Sequence, residues 1–339
     1  MKKLLVLLLA LALVLSLAAC GKDEDGKSDR DEPSKSDKED SDTGKDPFEG
    51  LLPDDPNEPE DTAGTPEGGD PFGPGVLALI ASVNADNAEA TGTCGADLTW
   101  YLYDNMLIIR GTGEMEDYDP DDAPWSEAAD QVELVYLEDG VTSIGNFAFY
   151  YFVKMQAVYI PDSVTAIRID AFGSCRSLTY VRWSENLTEI GMGAFLNAGL
   201  TSAAIPKGVT SLAENAFGGN WKLTSVELPD GLIEIGVNAF QACKLTSVTI
   251  PDSVTTIRTG ALYLNPLTEV TIPASVTYLD EAFGVCPMTT VTFLGDAPET
   301  GVSYYGHLFG LEDGTTIQYS GDGFDRYIEG YPNYNWVKI

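Results

Sequence analysis

One sequence pattern recurs about every 21 to 23 residues through the second half of this chain, and it constrains the fold more than any other feature. Three columns of residues keep one register. The first column is aliphatic: Ile144, Ile167, Ile190, Leu212, Ile235, Ile257 and Leu279. The second pairs alanine with a large apolar residue: Ala148-Phe149, Ala171-Phe172, Ala194-Phe195, Ala216-Phe217, Ala239-Phe240, Ala261-Leu262 and Ala282-Phe283. The third is a proline after an aliphatic residue: Pro161, Pro206, Pro229, Pro251 and Pro273.

Each unit predicts a short strand that stops at the proline. In Leu245–Ile250 apolar and polar residues alternate, which is typical of a half-buried strand with Val248 and Ile250 pointing inward. Pro251 follows, and proline has no backbone N–H for a ladder hydrogen bond. One unit buries too little apolar surface to offset the entropy of ordering it, so the units must stack and the ends of the stack must be capped.

The order Leu-Thr-x-Val-x-Ile-Pro-Asp-x-Val-Thr-x-Ile-x-x-x-Ala-Phe-x-x-Cys resembles the BspA-type leucine-rich repeat of bacterial surface proteins. The resemblance covers residues 132–293. It implies a β-rich leucine-rich-repeat solenoid of parallel strands joined by short turns or 3-10 segments, after a disordered tether. It also implies a surface protein that binds another protein or a glycan, since relatives are commonly described as adhesins.

Two flanking segments are interpreted as caps. Residues 91–131 resemble the segment that often precedes such arrays, and they predict an N-terminal β cap with a hairpin turn at Asp104-Asn105. Residues 294–339 are rich in aromatic residues and predict a C-terminal cap that shields the last coil.

The first twenty residues have the order of a secretory signal. Lys2 and Lys3 precede the apolar stretch 4–15, and Leu17-Ala18-Ala19-Cys20 resembles the lipobox of bacterial lipoproteins. The resemblance implies that Cys20 carries diacylglycerol and anchors the chain at the extracytoplasmic face of the bacterial cell membrane. The alternatives are an ordinary signal peptide or, less favoured, a retained transmembrane helix.

Residues 21–90 predict an acidic, disordered linker. From Gly21 to Gly75 the sequence is mainly Asp, Glu, Lys, Ser, Pro and Gly, which cannot bury enough surface to fold. Flexible-chain scaling gives a span of roughly 40 Å. The stretch Val76 to Val83 is apolar enough for a short helix or strand, but it is isolated and stays within the linker.

The charge of the chain limits its partners. A formal net charge of -34 disfavours nucleic acid and an anionic bilayer surface, because every phosphate contact would meet repulsion from the rest of the protein. Solubility is the simplest interpretation of this acidity. Contact with a membrane is expected through the lipid at Cys20 alone.

No catalytic motif is recognised, and the single histidine, His307, cannot supply a paired metal site. We therefore expect no enzyme activity, no cofactor and no metal. A calcium site is the weaker alternative at Asp117, Asp119 and Asp121, where Asp122 replaces the glycine that such a loop needs and Glu127 falls one position early. An acidic hydrolase using paired carboxylates is a further, disfavoured alternative.

The cysteines at 175, 243 and 286 fall in one column of the repeat, where other units carry Phe152, Ala198, Asn220 or Asn265. Strands about 4.8 Å apart place these three sulfurs too far from one another for a disulfide. We therefore expect free, buried thiols that pack as small apolar groups. Cys94 stands alone in the N-terminal cap, and the spacing assigns it no role.

The outward face of the strands is the predicted ligand surface. In the first three units this row carries Tyr136, Tyr159, Tyr180 and Arg182, residue types enriched at binding hot spots. Later units carry mainly threonine, serine and glutamate. The simpler interpretation is that tyrosine and threonine favour strands and decorate an exposed sheet without a ligand. A passive structural surface protein therefore remains the alternative to a binding protein.

Overall fold

A computed structural model of the protein describes residues 70–301 and 307–339. The predicted signal peptide, Cys20 and the linker up to residue 69 lie outside these residues. The described chain begins with helix α1 (Pro74–Ser82) and three strands, β1 (Ala90–Gly95), β2 (Asp97–Tyr103) and β3 (Met106–Glu114), followed by a 3-10 turn at Ser126–Ala128.

The repeat region winds into a coil with two sets of short parallel strands. The first set is β4 (Leu134–Leu137), β6 (Ala157–Tyr159), β8 (Tyr180–Arg182), β10 (Ser202–Ala204), β12 (Ser225–Glu227), β15 (Glu269–Ile272) and β17 (Thr290–Phe293). The second set is β5 (Val141–Ile144), β7 (Ala166–Ile167), β9 (Glu189–Ile190), β11 (Ser211–Leu212), β13 (Glu234–Ile235), β14 (Thr256–Ile257) and β16 (Tyr278–Leu279). The predicted parallel-strand leucine-rich-repeat solenoid is confirmed.

The register of the ladders follows the aliphatic column of the sequence. Ile144 pairs with Ile167, Ile167 with Ile190, and Ile235 with Ile257, so identical positions of successive units lie side by side. Strand β15 ends at Ile272, and the carbonyl oxygen of the following Pro273 accepts a hydrogen bond from the N–H of Val276. The proline therefore ends the strand and opens a tight turn, as its missing donor predicts.

The Ala-Phe corner forms a third line of contact between units. The N–H of Phe172 donates to the carbonyl of Ala194, and that of Phe195 donates to the carbonyl of Ala216. The rings stack inside the coil from Trp125 through Phe149, Phe172, Phe195, Phe217 and Phe240, with centroids 5.1 to 5.6 Å apart. All six of these rings are buried, so the aromatic column is the spine of the core.

Left-handed backbone conformations flank this corner in each unit. One such column is Phe147, Asp170, Gly193, Asn215, Asn238, Gly260 and Glu281, all with positive φ. Asparagine, aspartate and glycine tolerate this conformation best. The side chain of Asp170 fills the space that a Cβ at Gly193 would occupy, and Asn238 does the same over Gly260. Glycine is therefore required at these two positions for steric reasons.

Residues 245–250 depart from the predicted strand. Leu245 and Ile250 are buried and Val248 is half-buried, as the alternation predicts, but no strand forms in this stretch of the described chain. The N–H of Leu245 donates to Oδ1 of Asn265, 3.0 Å away. The segment therefore keeps the predicted burial without forming a regular ladder.

Both ends of the coil are covered. Strands β1, β2 and β3 form an antiparallel meander, and the hairpin predicted at Asp104-Asn105 is confirmed, with Asp104 at a φ of 54°. At the other end β18 (Thr316–Tyr319) and β19 (Asn335–Lys338) continue the parallel ladder beyond β17. A 3-10 turn at Leu308–Gly310 and helix α2 (Asp325–Gly330) pack buried rings against this end.

Candidate functional site

The structure brings the predicted tyrosines together on the first set of strands. Because β4, β6 and β8 are parallel and in register, Tyr136 pairs with Tyr159 and Tyr159 with Arg182. The rings of Tyr136 and Tyr159 stack with centroids 4.7 Å apart. Tyr180, on β8, is in register with Ala157 of β6. We call Tyr136, Tyr159 and Tyr180 the tyrosine socket.

The ring of Phe72 occupies this socket. Its centroid lies 6.0 Å from that of Tyr136, 5.6 Å from that of Tyr159 and 6.3 Å from that of Tyr180. The side chain of Phe72 is only 1% exposed. The three tyrosines are consequently half-buried rather than open to solvent. The sequence predicted their clustering but not that the protein's own chain covers them.

The segment that carries Phe72 is clamped at both of its ends. At the first end, the Tyr180 hydroxyl donates to Oδ1 of Asp70 at 3.3 Å, and the N–H of Phe72 donates to the same oxygen at 2.9 Å. At the other end, the Arg110 guanidinium donates to the carbonyl oxygens of Ile80 and Val83. These are carbonyls at the C-terminal end of α1, where a cation is favourable.

This arrangement corrects the interpretation of residues 70–90 as disordered linker. Phe72, Ile80 and Val83 are buried against Met106 and Ile108 of β3. The stretch Val76 to Val83, which the sequence left open, lies mostly in α1. The stretch appeared isolated because its partners lie far away along the chain. A signal was nevertheless present, since Asp70-Pro71-Phe72 introduces an aromatic residue directly before an apolar run.

Arg182 lies at the outer edge of the socket. Its guanidinium carbon is 5.0 Å from the centroid of the Tyr159 ring, and its nitrogens donate to both carboxylate oxygens of Asp162 at 2.6 and 3.2 Å. The hydrogen bond to Asp162 raises the pKa of Arg182, and the same bond lowers the pKa of the Asp162 carboxyl. Both groups are therefore charged at neutral pH, and Arg182 stays half-exposed.

Burial raises the pKa of Tyr136 and of Tyr180. Their hydroxyls therefore remain protonated at physiological pH, and that of Tyr180 donates its proton to Asp70. The socket and its edge combine aromatic faces, phenolic donors and one guanidinium. This set suits contact with an aromatic or glycosyl ring that carries an acidic or hydroxyl neighbour.

The rest of the outward row is open. The exposed positions in β10 are Ser202 and Ala204, and those in β15 are Glu269 and Thr271, while the alternate residues point inward. This alternation confirms which side chains face outward. It also shows that the Ser, Thr and Glu part of the row stays exposed, whereas Phe72 covers the tyrosine part.

The hydrogen bonds of the alternative calcium loop show its carboxylates in other roles at Asp117 only. Oδ1 of Asp117 accepts the N–H of Asn146, and its Oδ2 lies 3.5 Å from Arg168. The backbone carbonyl of Asp119, not its carboxylate, accepts the N–H of Asp122, and Asp121 has a φ of 68°. Within residues 70–301 and 307–339, no group of three or more acidic, histidine or cysteine side chains is placed to hold a metal ion.

The three cysteines of the repeat column make equivalent hydrogen bonds. The thiols of Cys175, Cys243 and Cys286 donate to the carbonyl oxygens of Phe149, Phe217 and Leu262, the Ala-Phe corner of the preceding unit. Burial raises the pKa of Cys243 to about 12 and that of Cys286 to about 11. These three and Cys94 are free and buried, as expected. They are therefore poor nucleophiles and metal ligands.

Asparagines at two positions of this column also donate hydrogen bonds to carbonyls of the Ala-Phe corner, which the sequence did not predict. Nδ2 of Asn220 donates to the carbonyls of Phe195 and Phe217, and Nδ2 of Asn265 to those of Phe240 and Leu262. Both side chains are fully buried. Five units of this column therefore carry a cysteine or asparagine that donates to a carbonyl of the Ala-Phe corner, whereas Phe152 and Ala198 fill the same place without a side-chain donor.

No helix in the part of the chain that the structure describes is long and apolar enough to span a bilayer.

Comparison with known proteins agrees with this architecture. The family model for the BspA type leucine rich repeat region matches residues 129–220 and 188–305, with six copies. No protein of curated function matches the chain.

Among the solved structures of similar fold are three bacterial leucine-rich repeat proteins. A leucine-rich repeat protein of Bacteroides ovatus is 20% identical, with a TM-score of 0.47 over 67% of this chain and 70% of its own. A leucine rich cell surface protein of Faecalibacterium prausnitzii is 22% identical (TM-score 0.43; 62% and 72%), and a leucine-rich repeat protein of Eubacterium ventriosum is 23% identical (0.40; 62% and 74%). Because the family model spans more than half of the sequence and its repeats coincide with the turns of the coil, this chain belongs to the BspA-type leucine-rich repeat family of bacterial surface proteins.

Proposed function

We propose that this protein is a lipid-anchored binding protein of the bacterial cell surface, which presents its solenoid to an extracellular protein or glycan. The observation that carries the proposal is the outward row. Aromatic, guanidinium and hydroxyl side chains follow one another along it, from Tyr180 and Arg182 to the exposed Thr271 of β15. An extended sheet face with such side chains is a common binding surface in solenoid proteins.

The proposed ligand contacts begin at the edge of the tyrosine socket. Tyr180 and Arg182 are only partly covered, so a partner lying on β8 and β10 would touch both. Tyr136 and Tyr159 lie deeper under Phe72, and in this proposal they support the edge. The net charge of -34 favours partners other than nucleic acids.

Binding is tested on an array of matrix proteins, mucins and glycans, probed with the whole protein. Arg182→Ala and Tyr180→Ala are expected to weaken the binding that the array reveals by about 1 to 3 kcal/mol. Thr271→Ala is the matched control on the same row and is expected to leave binding unchanged. If Thr271→Ala and Arg182→Ala weaken binding equally, the edge of the socket is not the binding site.

The anchor is tested at Cys20, which precedes the described residues. Metabolic labelling with a lipid precursor is expected to mark the wild type, and Cys20→Ala is expected to abolish the label and release the protein from the membrane. A wild type that takes up no lipid and is shed into the medium contradicts the anchor.

Two alternatives remain distinguishable. A passive structural surface protein would show no saturable binding anywhere on the array. An acidic hydrolase would turn over substrates in a broad glycosidase and peptidase screen. We propose no catalytic activity, because the family is one of repeat proteins without a shared catalytic site and the chain has no recognised catalytic motif.

A further inference from the structure

The charges of the coil are sorted by their position within the repeat unit. In five successive units, the stretch from the phenylalanine of the Ala-Phe pair to the start of the outward row contains no aspartate or glutamate: 149–157, 172–180, 195–202, 217–225 and 240–247. The charged residues of these stretches are all basic, and we call them the basic edge: Lys154, Arg176, Lys222 and Lys244. In a chain of net charge -34, this edge is a local surface of opposite sign.

Backbone hydrogen bonds stack these stretches on one another. The N–H of Thr179 donates to the carbonyl of Gln156, which joins the stretches that carry the first two basic residues. The N–H of Lys244 donates to the carbonyl of Leu223, which joins the stretches that carry the last two. Basic residues of consecutive units therefore begin about one strand spacing apart, which is about 4.8 Å.

The middle unit of the five has glycine where a further side chain would stand. A Cβ at Gly199 would lie 2.2 Å from the carbonyl oxygen of Arg176, so the backbones are in direct contact there. The basic edge therefore consists of two pairs of cations separated by one unit without a charge. It runs along the axis of the coil for about 19 Å.

Exposed aromatic rings accompany the cations. The ammonium of Lys222 lies 4.5 Å from the centroid of the Trp221 ring, and Trp221 is 36% exposed. Tyr151, near the other end of the edge, is 44% exposed. The core does not need either ring, because the buried Phe149 and Phe217 fill the spine in the same units. Lys154 is exposed, and the other three basic residues are half-exposed.

We propose that the basic edge binds an anionic glycan, whose sulfate or carboxylate groups follow one another along the axis of the coil. One sugar residue of an extended glycan advances about as far as one unit of the coil, so successive acidic sugars meet successive units. Sugar rings also stack on exposed aromatic faces such as that of Trp221. The basic edge does not include the outward row, so this site goes beyond the binding proposed above.

Screening and width favour a glycan over a nucleic acid duplex. Electrostatic interactions between exposed charges fade over about 8 Å at physiological ionic strength. A single glycan chain on the edge is therefore shielded from carboxylates on the other sides of the coil. A DNA duplex is wider than the edge and carries one charge about every 1.7 Å along its axis, so its phosphates would reach the acidic sides.

The test measures binding of two defined octasaccharides to the full chain by calorimetry, one from heparin and one from hyaluronan. The hyaluronan fragment carries carboxylates alone, and binding of both fragments would identify the carboxylate as sufficient. Lys154→Gln and Lys222→Gln are each expected to weaken binding by about fivefold, since one cation beside a polyanionic surface contributes about that factor. Trp221→Ala should weaken it severalfold, and high salt should abolish it.

Lys207→Gln is the matched control, because Lys207 is an exposed lysine that follows the proline of its unit and lies outside the edge. It is expected to leave the affinity unchanged, and Lys154→Arg is expected to retain it. Equal losses for Lys154→Gln and Lys207→Gln would overturn the proposal, because net charge alone would then set the affinity. The absence of binding to either fragment at low salt would overturn it as well.

Two further measurements separate this site from its alternatives. A single-stranded oligonucleotide or a polyglutamate peptide that binds as tightly as the heparin fragment would contradict the assignment of a glycan. Arg182→Ala should leave the affinity for the fragments unchanged, because Arg182 is paired with Asp162 on the outward row. Failure of the basic edge is therefore distinguishable from failure of the binding proposed at the socket. Thermal unfolding of each variant checks that the coil is intact.

Discussion

Asp170 is the position at which one substitution should make this protein more stable. Its carboxyl is half-buried at the Ala-Phe corner, and burial raises its pKa from 3.8 to about 6. The folded state therefore holds the proton more tightly than the unfolded chain. The contribution of Asp170 to the stability of the protein should fall as the pH rises from about 4 to about 6, and stay at the lower level above that range.

We predict that Asp170→Asn stabilises the protein at pH 7.5. For a fully buried carboxylate, a rise of about two in the pKa corresponds to a loss of about 3 kcal/mol of folding stability at neutral pH. Because Asp170 is partly exposed, we expect its loss to be about 1 kcal/mol. Asparagine already occupies the same column at Asn215 and Asn238, where it tolerates the positive φ. A gain of about 1 kcal/mol corresponds to about 2 to 4 °C in the unfolding temperature.

The assay is thermal unfolding of both proteins between pH 3.5 and pH 8. The difference should be smallest at pH 3.5, where Asp170 is protonated in both states, and should reach its maximum above pH 6. Asp162→Asn is the control and is expected to destabilise the protein above pH 4. The Arg182 hydrogen bond lowers the pKa of Asp162 and therefore stabilises the folded state in that range. A gain at Asp170→Asn that does not change with pH would assign the effect to backbone conformation and refute the burial argument.

Three further predictions concern the core. The four buried cysteines should resist thiol reagents in the folded protein and react after denaturation without reductant, because they are free and their pKa values are raised by burial; a count of two or fewer would indicate disulfides. Asn265→Ala should lower the free energy of unfolding in urea by about 2 to 4 kcal/mol, since it removes the hydrogen bonds to the buried carbonyl of Phe240 and to the N–H of Leu245; Asn265→Cys should cost less, because cysteine serves this column in other units. Phe195→Ala should cost about 3 to 5 kcal/mol in the same assay, and Phe195→Leu clearly less, because Leu262 fills the equivalent place; equal costs would mean that the stacked ring itself, not the buried volume, stabilises the spine.

The repeat could be predicted from the sequence because the residues that specify it lie close together in the chain and recur in every unit. The aliphatic column that contains Ile144 and Ile167, the proline that ends each strand and the Ala-Phe pair follow from alternation, a missing donor and ring size. Each signal is weak in one unit, but repetition multiplies it. The clustering of the tyrosines and the burial of the cysteines followed from the same register.

What covers the sheet face was decided only in three dimensions. Phe72 meets Tyr136, Tyr159 and Tyr180 across 64 to 108 residues of sequence, and no period links these positions. The hydrogen bond from Leu245 to Asn265 in the next unit is likewise a contact that no single repeat unit predicts. The sequence by itself determined the coil and the direction of its side chains, because both depend on local repeated chemistry. The tertiary structure determined which part of the face is open, because that depends on one contact between distant segments.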